Sequence, residues 1–314
     1  MSESLFNNLY EELSKAIVGK KDVIDKVLVA FLSQGHLLIE DYPGMAKTLL
    51  ASSFATALDL DFRRVQFTPD LLPSDITGGY YWDVKDGEFK LRKGPIFTNI
   101  LLADEINRAP PKTQSALLEA MQERQVTIDG NTIPLNQPFM VIATLNPIEY
   151  EGTYPLPEAQ LDRFLIKTRI GYPSFLEEKQ ILKKRIERKS DKPRINKVIS
   201  REEILFLQRK IEDVYVDDSI IEYIIQIVSK TREAREVEVG VSPRGSEALM
   251  KASRALAFIR GRDYVIPDDV KELAVPVLSH RLVLKVESVV KGSTAEDIVR
   301  EVLKKVEVPR GVRG

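Results

Sequence analysis

Apolar residues form five short runs within the first 170 residues, and polar or periodically apolar segments separate them. The runs cover residues 36–40, 62–68, 99–105, 139–146 and 165–170. Their length is typical of β-strands, whereas the segments between the first three runs place apolar residues at helical spacing. Strands that alternate with helices favour a mostly parallel sheet covered by helices. We therefore predict an α/β fold built on a parallel five-stranded sheet.

Two segments interrupt this plan with the alternating pattern of a β-hairpin. Residues 80–94 contain an Asp-Gly pair at 86–87, and residues 125–135 contain another at 129–130. An Asp-Gly pair between alternating residues is a strong local signal for a tight hairpin turn. We predict that both hairpins are inserts in the α/β plan.

The pattern changes after Pro173. Ser174 is followed three residues later by Glu177, which is the spacing of a capping box that begins a charged helix. Helical patterns then dominate to the end of the chain. We therefore place a domain boundary near Pro173, between an α/β domain of residues 1–173 that includes both hairpins and a smaller all-α domain of residues 174–314.

Composition narrows the classes of function. The 314 residues include 46 basic and 47 acidic side chains, no cysteine and two histidines. Disulfides, thiolate nucleophiles, cysteine-type zinc sites and histidine-rich metal sites are therefore excluded. The balanced charge argues against nucleic acid as a partner, because phosphate contacts usually require a local basic surplus. No apolar stretch approaches the length of a membrane span, and the acidic N-terminus does not match a signal peptide, so we expect a cytoplasmic protein.

Residues 40–48, EDYPGMAKT, end in the Lys-Thr pair of a phosphate-binding loop, G-x-x-x-x-G-K-[ST]. Asp41 and Ala46 stand where that pattern has glycine. A strand, a loop and a helix start still provide backbone N–H groups, Lys47 for the phosphates and the Thr48 hydroxyl for Mg²⁺. An alanine with positive φ costs about 1–2 kcal/mol, which ligand contacts can offset. A strand–turn–helix with a solvent-facing lysine explains the pattern equally well.

A second motif favours the nucleotide site. The apolar run in NILLADEINR ends in Asp104 and Glu105, about sixty residues after Lys47, and resembles a Walker B motif. At a strand end, Asp104 would hold Mg²⁺, and Glu105 would orient and deprotonate the attacking water. The alternative is a charged strand end before a loop. Two motifs in the correct order make that alternative weak.

Three further polar residues fit the same site. Asn146 ends the run at 139–146, where it would position water beside the γ-phosphate, although such an asparagine is usually a turn former. Arg163 lies on a predicted helix that is badly placed to reach its own phosphate, so an arginine acting on a neighbouring subunit fits, with a surface pair to Asp162 as the alternative. Arg244 lies in the first turn of a helix, where a bound anion would explain a cation that opposes the helix dipole.

At this point the sequence resembles the MoxR family of AAA+ ATPases. The motifs that carry the resemblance are EDYPGMAKT, LLADEINRAPPKTQSALLEAMQE, IATLNPIEYEGTYPLPEAQLDRF, SPRGSEALMKASRALA and VLSHRLVL, and the similarity runs from Ala16 to at least Leu284. Phosphate loops of this family commonly read D-x-P-G-x-[GA]-K-T, so Asp41 is typical and Ala46 is a tolerated variant. The resemblance also implies that the second domain is a lid. The hairpins would be the helix-2 and presensor-1 inserts of a clade that includes magnesium chelatase, McrB and MCM helicases.

The family implies rings, commonly hexamers, with ATP bound between subunits. Nucleotide-binding roles then fall on Ile17, Val18 and Gly19 near adenine, and on Asp41, Pro43, Gly44, Met45, Ala46, Lys47, Thr48 and Leu49. Metal-binding roles fall on Thr48 and Asp104. Catalytic roles fall on Glu105 (base), Asn146 (first sensor), Arg163 (arginine finger in trans) and Arg244 (second sensor). Arg108 flanks Glu105 on a helix that faces the subunit interface in related proteins, and its role stays open.

The resemblance implies Mg²⁺-dependent ATP hydrolysis that remodels or activates a protein client, or inserts a metal or cofactor into it. Such proteins often act through a separate protein with a von Willebrand factor A domain, whose D-x-S-x-S motif this sequence lacks. One alternative is a nucleic-acid motor like McrB or MCM, although the acidic turn IDGN of the second hairpin opposes it. Another is an assembly switch that binds ATP tightly. Glu105, Asn146 and Arg163 together favour hydrolysis over that switch.

Overall fold

The structure is a computed structural model that describes residues 2–147 and 152–309. Residues 148–151 of the third family motif and residues 310–314 of the second predicted domain lie outside the described residues. The helices are α1 (Ser2–Ser14), α2 (Lys21–Leu32), α3 (Lys47–Ala57), α4 (Pro73–Thr77), α5 (Pro111–Glu123), α6 (Glu158–Leu161), α7 (Phe175–Arg188), α8 (Arg201–Ile211), α9 (Asp218–Glu233), α10 (Pro243–Ile259), α11 (Pro267–Leu278), α12 (Val286–Val290) and α13 (Ala295–Lys305). The strands are β1 (Leu37–Glu40), β2 (Phe62–Gln66), β3 (Gly78–Asp83), β4 (Glu88–Lys93), β5 (Ile100–Asp104), β6 (Gln125–Ile128), β7 (Asn131–Pro134), β8 (Met140–Leu145), β9 (Ile166–Thr168), β10 (Val237–Val239) and β11 (Val283–Leu284).

The five predicted strands form one parallel sheet in the order β2-β5-β8-β1-β9. The predicted α/β fold with a parallel five-stranded sheet is therefore confirmed. Since all five strands run in one direction, their carboxyl ends meet at one edge of the sheet. The phosphate-loop segment follows β1, Asp104 ends β5 and Asn146 follows β8. The strand order thus places the two candidate motifs side by side at the edge where α/β proteins bind ligands.

Alternation along the strands explains why helices cover both faces of this sheet. Leu37 and Ile39 of β1 belong to an apolar cluster with α1, α2, α3 and the helices of the second half. Leu38 between them belongs to a second cluster with α5 and both hairpins. Successive strand residues point to opposite faces, so a strand without polar positions requires cover on both sides.

Both predicted hairpins are present. β3 and β4 pair antiparallel with Tyr80 opposite Leu91, and β6 and β7 pair with Val126 opposite Ile133. The turn glycines, Gly87 and Gly130, have φ of 66° and 81°. That conformation is the reason for glycine at these two positions.

The second half is helical from α7 onward, and the capping box predicted at the start of this helix is confirmed. The Ser174 N–H donates to Glu177 Oε2 at 2.6 Å, and the Glu177 N–H donates to Ser174 Oγ at 3.4 Å, which closes the capping box. One addition was not predicted: β10 and β11 form a small antiparallel pair. These strands have three and two residues, which is too short for an alternating pattern to appear in the sequence.

The apolar core that contains α2 continues into α10 of the second half. The domain boundary near Pro173 therefore stays a prediction, based on the change of sequence pattern. Within the described residues, no helix is long and apolar enough to cross a bilayer.

His36 links the start of β1 to its neighbours. The Val141 N–H donates to His36 Nδ1 at 3.0 Å, so the proton lies on Nε2, which donates to the Met121 carbonyl at 2.9 Å. Burial, assisted by the charge of Arg124, lowers the pKa of His36 to about 4. Protonation of Nδ1 would break its bond to β8 and place a charge in the core.

We expect this histidine to make folding pH-dependent. The imidazole has a pKa of about 6.5 in the unfolded chain, so the unfolded chain binds more protons between that pH and about 4. The contribution of His36 to the free energy of unfolding is therefore fully present above pH 6.5. It is lost as the pH falls through this window, which lowers the free energy of unfolding by about 3 kcal/mol. Urea unfolding at several pH values measures the slope. In His36→Gln the slope should shrink to the part contributed by the other titrating groups, among them His280, whose pKa burial also lowers. An unchanged slope in that variant would contradict the assignment.

Candidate nucleotide-binding site

The loop between β1 and α3 has the backbone shape of a phosphate-binding loop. Gly44 has φ of 82° and Ala46 has φ of 53°, both in the left-handed region. Ala46 is the N-cap of α3, and no side chain caps that helix start. The first N–H groups of α3 and the positive end of its dipole are therefore available to an anion. The positive φ considered for Ala46 from the sequence is confirmed.

Lys47 is held inside this loop. Its side-chain ammonium donates to the Asp41 carbonyl at 2.7 Å, and the residue is buried. Burial lowers the pKa of Lys47, and the nearby charges of Asp104, Asp41 and Glu105 oppose that shift. A lysine in this position places its ammonium group within the phosphate loop.

A cavity of about 420 Å³ lies beside the loop. Its lining consists of Pro43, Gly44, Met45, Ala46, Lys47, Thr48, Leu49, Arg64, Gln66, Asp104 and Glu105. The structure thus brings both candidate motifs into one cavity, here called the loop cavity. Ile17, Val18 and Gly19 do not line it; they lie between α1 and α2, with both apolar side chains buried.

Asp41 supports the loop from behind. Its Oδ1 accepts from the Tyr42 N–H at 2.9 Å, and its Oδ2 accepts from the N–H groups of Ile170 and Gly171 at 2.8 and 2.7 Å. These bonds connect the phosphate loop to the segment after β9, which leads to the second half of the chain. Because backbone N–H groups already use both carboxylate oxygens, Asp41 contributes to loop position rather than offering its charge to a ligand.

Asp104 is held by two partners at the end of β5. Its Oδ1 accepts from the Thr144 hydroxyl at 2.6 Å. Its Oδ2 accepts from Nε and Nη2 of Arg64 at 3.1 and 2.7 Å. A guanidinium therefore neutralises the carboxylate that the sequence assigns to a metal ion.

Glu105 is the next residue and has φ of 57°, in the left-handed region. Its N–H donates to the Thr144 hydroxyl at 2.8 Å, which fixes the backbone against β8. Its Oε2 accepts from Gln66 Nε2 at 2.7 Å and from Arg108 Nη1 at 3.0 Å. The carboxylate that would activate water is thus engaged by two donors in this arrangement.

Three residues of this site were not predicted from the sequence, namely Arg64, Gln66 and Thr144. Arg64 and Gln66 alternate on β2, so they share one face of that strand. This polar alternation was the available signal. Its meaning depends on β2 lying next to β5, where Gln66 is opposite Asp104, and the order of strands is not visible in the sequence.

The donor chemistry fits magnesium. The candidate ligands are the Thr48 hydroxyl and the Asp104 carboxylate, both hard oxygen donors that line the loop cavity. Mg²⁺ is usually bound through one or two protein ligands, substrate phosphates and water. Such a site needs no cluster of acidic side chains or histidines, and no group of three or more occurs in the described part of the chain.

Asn146 is buried directly after β8, beside the start of the loop, where the Asp41 N–H donates to the Leu145 carbonyl at 3.1 Å. This location is at the predicted edge of the sheet. Arg244 is exposed in the first turn of α10 and does not line the loop cavity.

Arg163 belongs to a different surface. It lines a separate cavity of about 310 Å³ together with Glu119, Gln122 and other residues of α5, and none of its lining residues belongs to the loop cavity. Its Nη1 donates to the Leu118 carbonyl at 2.7 Å. The prediction that Arg163 lies on a helix is wrong: α6 ends at Leu161, because the chain turns to bury Phe164 in the core.

Comparison with known proteins agrees with this geometry. The model of the ATPase family associated with various cellular activities (AAA) matches residues 36–166, and the AAA lid domain matches residues 229–302. A candidate ATPase from Cytophaga hutchinsonii has a crystal structure with a TM-score of 0.92 and 41% identity, and the match covers 98% of this chain and 96% of that one.

Among relatives, the uncharacterized protein YeaC of Bacillus subtilis is 53% identical over 305 residues, 97% of this chain and 95% of its own length. Chaperone MoxR1 of Mycobacterium tuberculosis is 44% identical over 308 residues, 95% of this chain and 81% of its own. Protein MoxR of Methylorubrum extorquens is 28% identical over 323 residues, 95% of this chain and 93% of its own. The phosphate loop, the acidic strand end beside it and these relatives together show that the chain belongs to the MoxR family of AAA ATPases.

Proposed function

We propose that this chain binds ATP with Mg²⁺ in the loop cavity and hydrolyses it at the subunit interfaces of a homo-oligomeric ring, expected to be a hexamer. One observation carries the proposal. Lys47, Asp104 and Glu105 share one cavity, whereas Arg163 lines another. A single chain therefore presents two parts of an ATPase site on separate surfaces, and a ring of copies would join them.

Binding of the triphosphate would exchange contacts within the loop cavity. Phosphate oxygens replace the Asp41 carbonyl as the partner of Lys47, and the first N–H groups of α3 bind the phosphates. Mg²⁺, held by Thr48 and Asp104, would neutralise phosphate charge. Arg64, which donates to Asp104 Oδ2 in this structure, would compete with the metal for that carboxylate. Ile17, Val18 and Gly19 would lie near adenine, as the family resemblance implies.

Hydrolysis requires a free general base. Glu105 would deprotonate the attacking water once its carboxylate releases Gln66 or Arg108, the donors that hold it in this structure. Asn146 would position that water from the neighbouring strand end. Because both donors occupy the carboxylate oxygen Oε2, the present arrangement is a resting state.

The arginines complete the site from elsewhere. Arg163 would act as the finger on the γ-phosphate of the adjacent subunit, where it stabilises charge in the transition state. Arg244 would reach the nucleotide of its own subunit when the lid closes, with the boundary near Pro173 as the hinge. Gly171 beside that boundary has φ of 68°, a conformation that suits a hinge glycine.

The client is proposed to be a protein. The relative of this chain from Mycobacterium tuberculosis is named a chaperone. The first hairpin, proposed as the helix-2 insert, exposes Trp82 and Phe89, whose ring centroids are 5.1 Å apart. An exposed aromatic pair suits an apolar protein segment. Remodelling, activation or metal insertion would then proceed in the cytoplasm, with a separate von Willebrand factor A domain protein as adaptor.

The nucleic-acid alternative has less support. Lys90 of the first hairpin pairs with Asp83 at 2.8 Å and with Asp86. Its charge is therefore neutralised within the hairpin instead of being presented to phosphate groups. We expect ATP turnover to be unchanged by DNA. A several-fold, salt-sensitive increase would favour the motor, and negligible turnover with tight ATP binding would favour the assembly switch.

The unusual phosphate loop gives a direct test. In Ala46→Gly we expect ATP affinity to stay within about threefold, because glycine reaches the observed φ without strain. The free energy of unfolding should rise by at most about 1 kcal/mol, since relieved strain of about 1–2 kcal/mol is offset by chain entropy. Ala46→Val should lower both the ATP affinity and the free energy of unfolding, because a β-branched residue at positive φ is strongly strained. Denaturant unfolding and titration with a fluorescent ATP analogue measure these effects. Equal behaviour of the two variants would contradict the loop geometry.

Mixed rings test the shared site. Glu105→Gln should bind ATP without turnover, and Arg163→Ala should lower turnover by about 10³-fold or more. When the two variants are mixed, some interfaces combine an intact Glu105 with an intact Arg163, so measurable ATPase activity should return. Mixtures that never exceed the sum of the separate variants would show that Arg163 does not act in trans.

The Glu105→Gln variant also serves to find the client. Because it should hold ATP without hydrolysing it, a pull-down in the presence of ATP should retain the client and its adaptor. The matched control is Lys47→Ala, which should bind neither nucleotide nor client. Equal recovery by both variants would argue against an ATP-dependent complex.

A further inference from the structure

A buried arginine in the second half of the chain holds the segment that carries Arg163. Arg281 lies between α11 and β11, and its side chain is only 4% exposed. It does not line the loop cavity. Its guanidinium reaches across the structure to residues 162–165, which lie between α6 and β9.

The contacts of Arg281 with this segment are numerous. Nε donates to Asp162 Oδ1 at 2.8 Å, Nη2 donates to the carbonyls of Phe164 and Asp162 at 2.8 and 3.3 Å, and Nη1 donates to the Leu165 carbonyl at 3.3 Å. His280 adds a contact from Nε2 to the same Phe164 carbonyl at 2.9 Å. One side chain therefore contacts three of the four residues in the segment.

This geometry requires arginine. A guanidinium offers five N–H donors in a rigid plane, which can serve converging carbonyl oxygens and one carboxylate at the same time. Lysine keeps the charge but offers a single flexible ammonium group. The pairing with Asp162 compensates a charge that burial would otherwise make costly.

The remaining residue of the segment is Arg163 itself. Its side chain donates to the Leu118 carbonyl of α5, while the backbone on either side of it is bound by Arg281. The backbone that aims the arginine is thus fixed by a residue 118 positions later in the chain.

We propose that Arg281 is a positioning residue for the arginine finger: it couples the second half of one subunit to the ATP site of its neighbour. The inference rests on the proposed function, in which Arg163 acts in trans. A movement of α11 would then change the finger offered to the next subunit. The defect caused by losing Arg281 therefore lies in the neighbouring active site and not in the subunit's own.

The first test is Arg281→Lys. We expect kcat for ATP to fall about tenfold or more while KM changes little, because the finger acts mainly on the transition state. The matched control is Arg262→Lys, which also removes the fork of a buried ion pair in the second half. Arg262 donates to both carboxylate oxygens of Asp269, at 2.7 and 2.5 Å, and not to residues 162–165. It should affect unfolding without the selective loss of kcat.

Mixed rings separate positioning from general damage. Arg281→Lys mixed with Glu105→Gln should regain activity beyond the sum of the two, because some interfaces combine a sound Glu105 with a sound finger. Arg281→Lys mixed with Arg163→Ala should regain no activity, because both variants impair the arginine finger and every interface then has a defective one. The proposal would be overturned if ATPase activity returned in the mixture with Arg163→Ala, or if it did not return in the mixture with Glu105→Gln.

Two further measurements keep the test decisive. If Arg163→Ala and Glu105→Gln fail to complement each other, the trans finger is refuted and this inference falls with it. If that pair regains activity but the mixture of Arg281→Lys with Glu105→Gln does not, only the positioning role is refuted.

If Arg281→Lys does not fold, Asp162→Asn provides a second variant. It removes the charged partner of Arg281 and leaves the backbone carbonyls of the segment, so it should show the same mixing pattern in weaker form. An Asp162→Asn ring with unchanged kcat would contradict the proposal.

Discussion

The site depends on the common direction of five strands. β1 lies between β8 and β9, and β5 lies on the other side of β8, so the phosphate loop and two polar strand ends meet at one edge. A reversed strand would send its polar end to the opposite edge of the sheet. The three inner strands, β5, β8 and β1, are buried on both faces by the two apolar clusters, as is typical of a parallel sheet covered by helices. The chemistry is therefore a consequence of packing.

Charge pairing sets the resting state of that edge. Lys47 is bonded to a loop carbonyl, Asp104 to Arg64, and Glu105 to Gln66 and Arg108. Each partner satisfies a group that would be costly to leave unpaired in a partly buried cavity. In the proposed ATP complex, phosphate oxygens and Mg²⁺ would take the place of these partners. The charged groups at this edge are thus held in place by partners within the chain.

The sequence predicted what depends on local pattern and missed what depends on long-range contacts. The five strands, both hairpins and the capping box at Ser174 follow from periodicity and turn chemistry. Arg64 was missed because only the strand order makes it a neighbour of Asp104. Asp41 was assigned to the nucleotide, yet its oxygens bind N–H groups after β9, about 130 residues away. Arg281 lies in the family motif VLSHRLVL but received no role from the sequence, because most of its partners are backbone carbonyls, which any sequence provides.

The central claim is that one triphosphate is shared by two copies of the chain. Cryo-electron microscopy of the Glu105→Gln variant with ATP and Mg²⁺ tests it most directly. The account predicts a closed ring in which the Arg163 guanidinium of one subunit lies within hydrogen-bond distance of the γ-phosphate held by Lys47 of the next. Single subunits, or a ring in which every Arg163 still donates to the Leu118 carbonyl of its own chain, would contradict it.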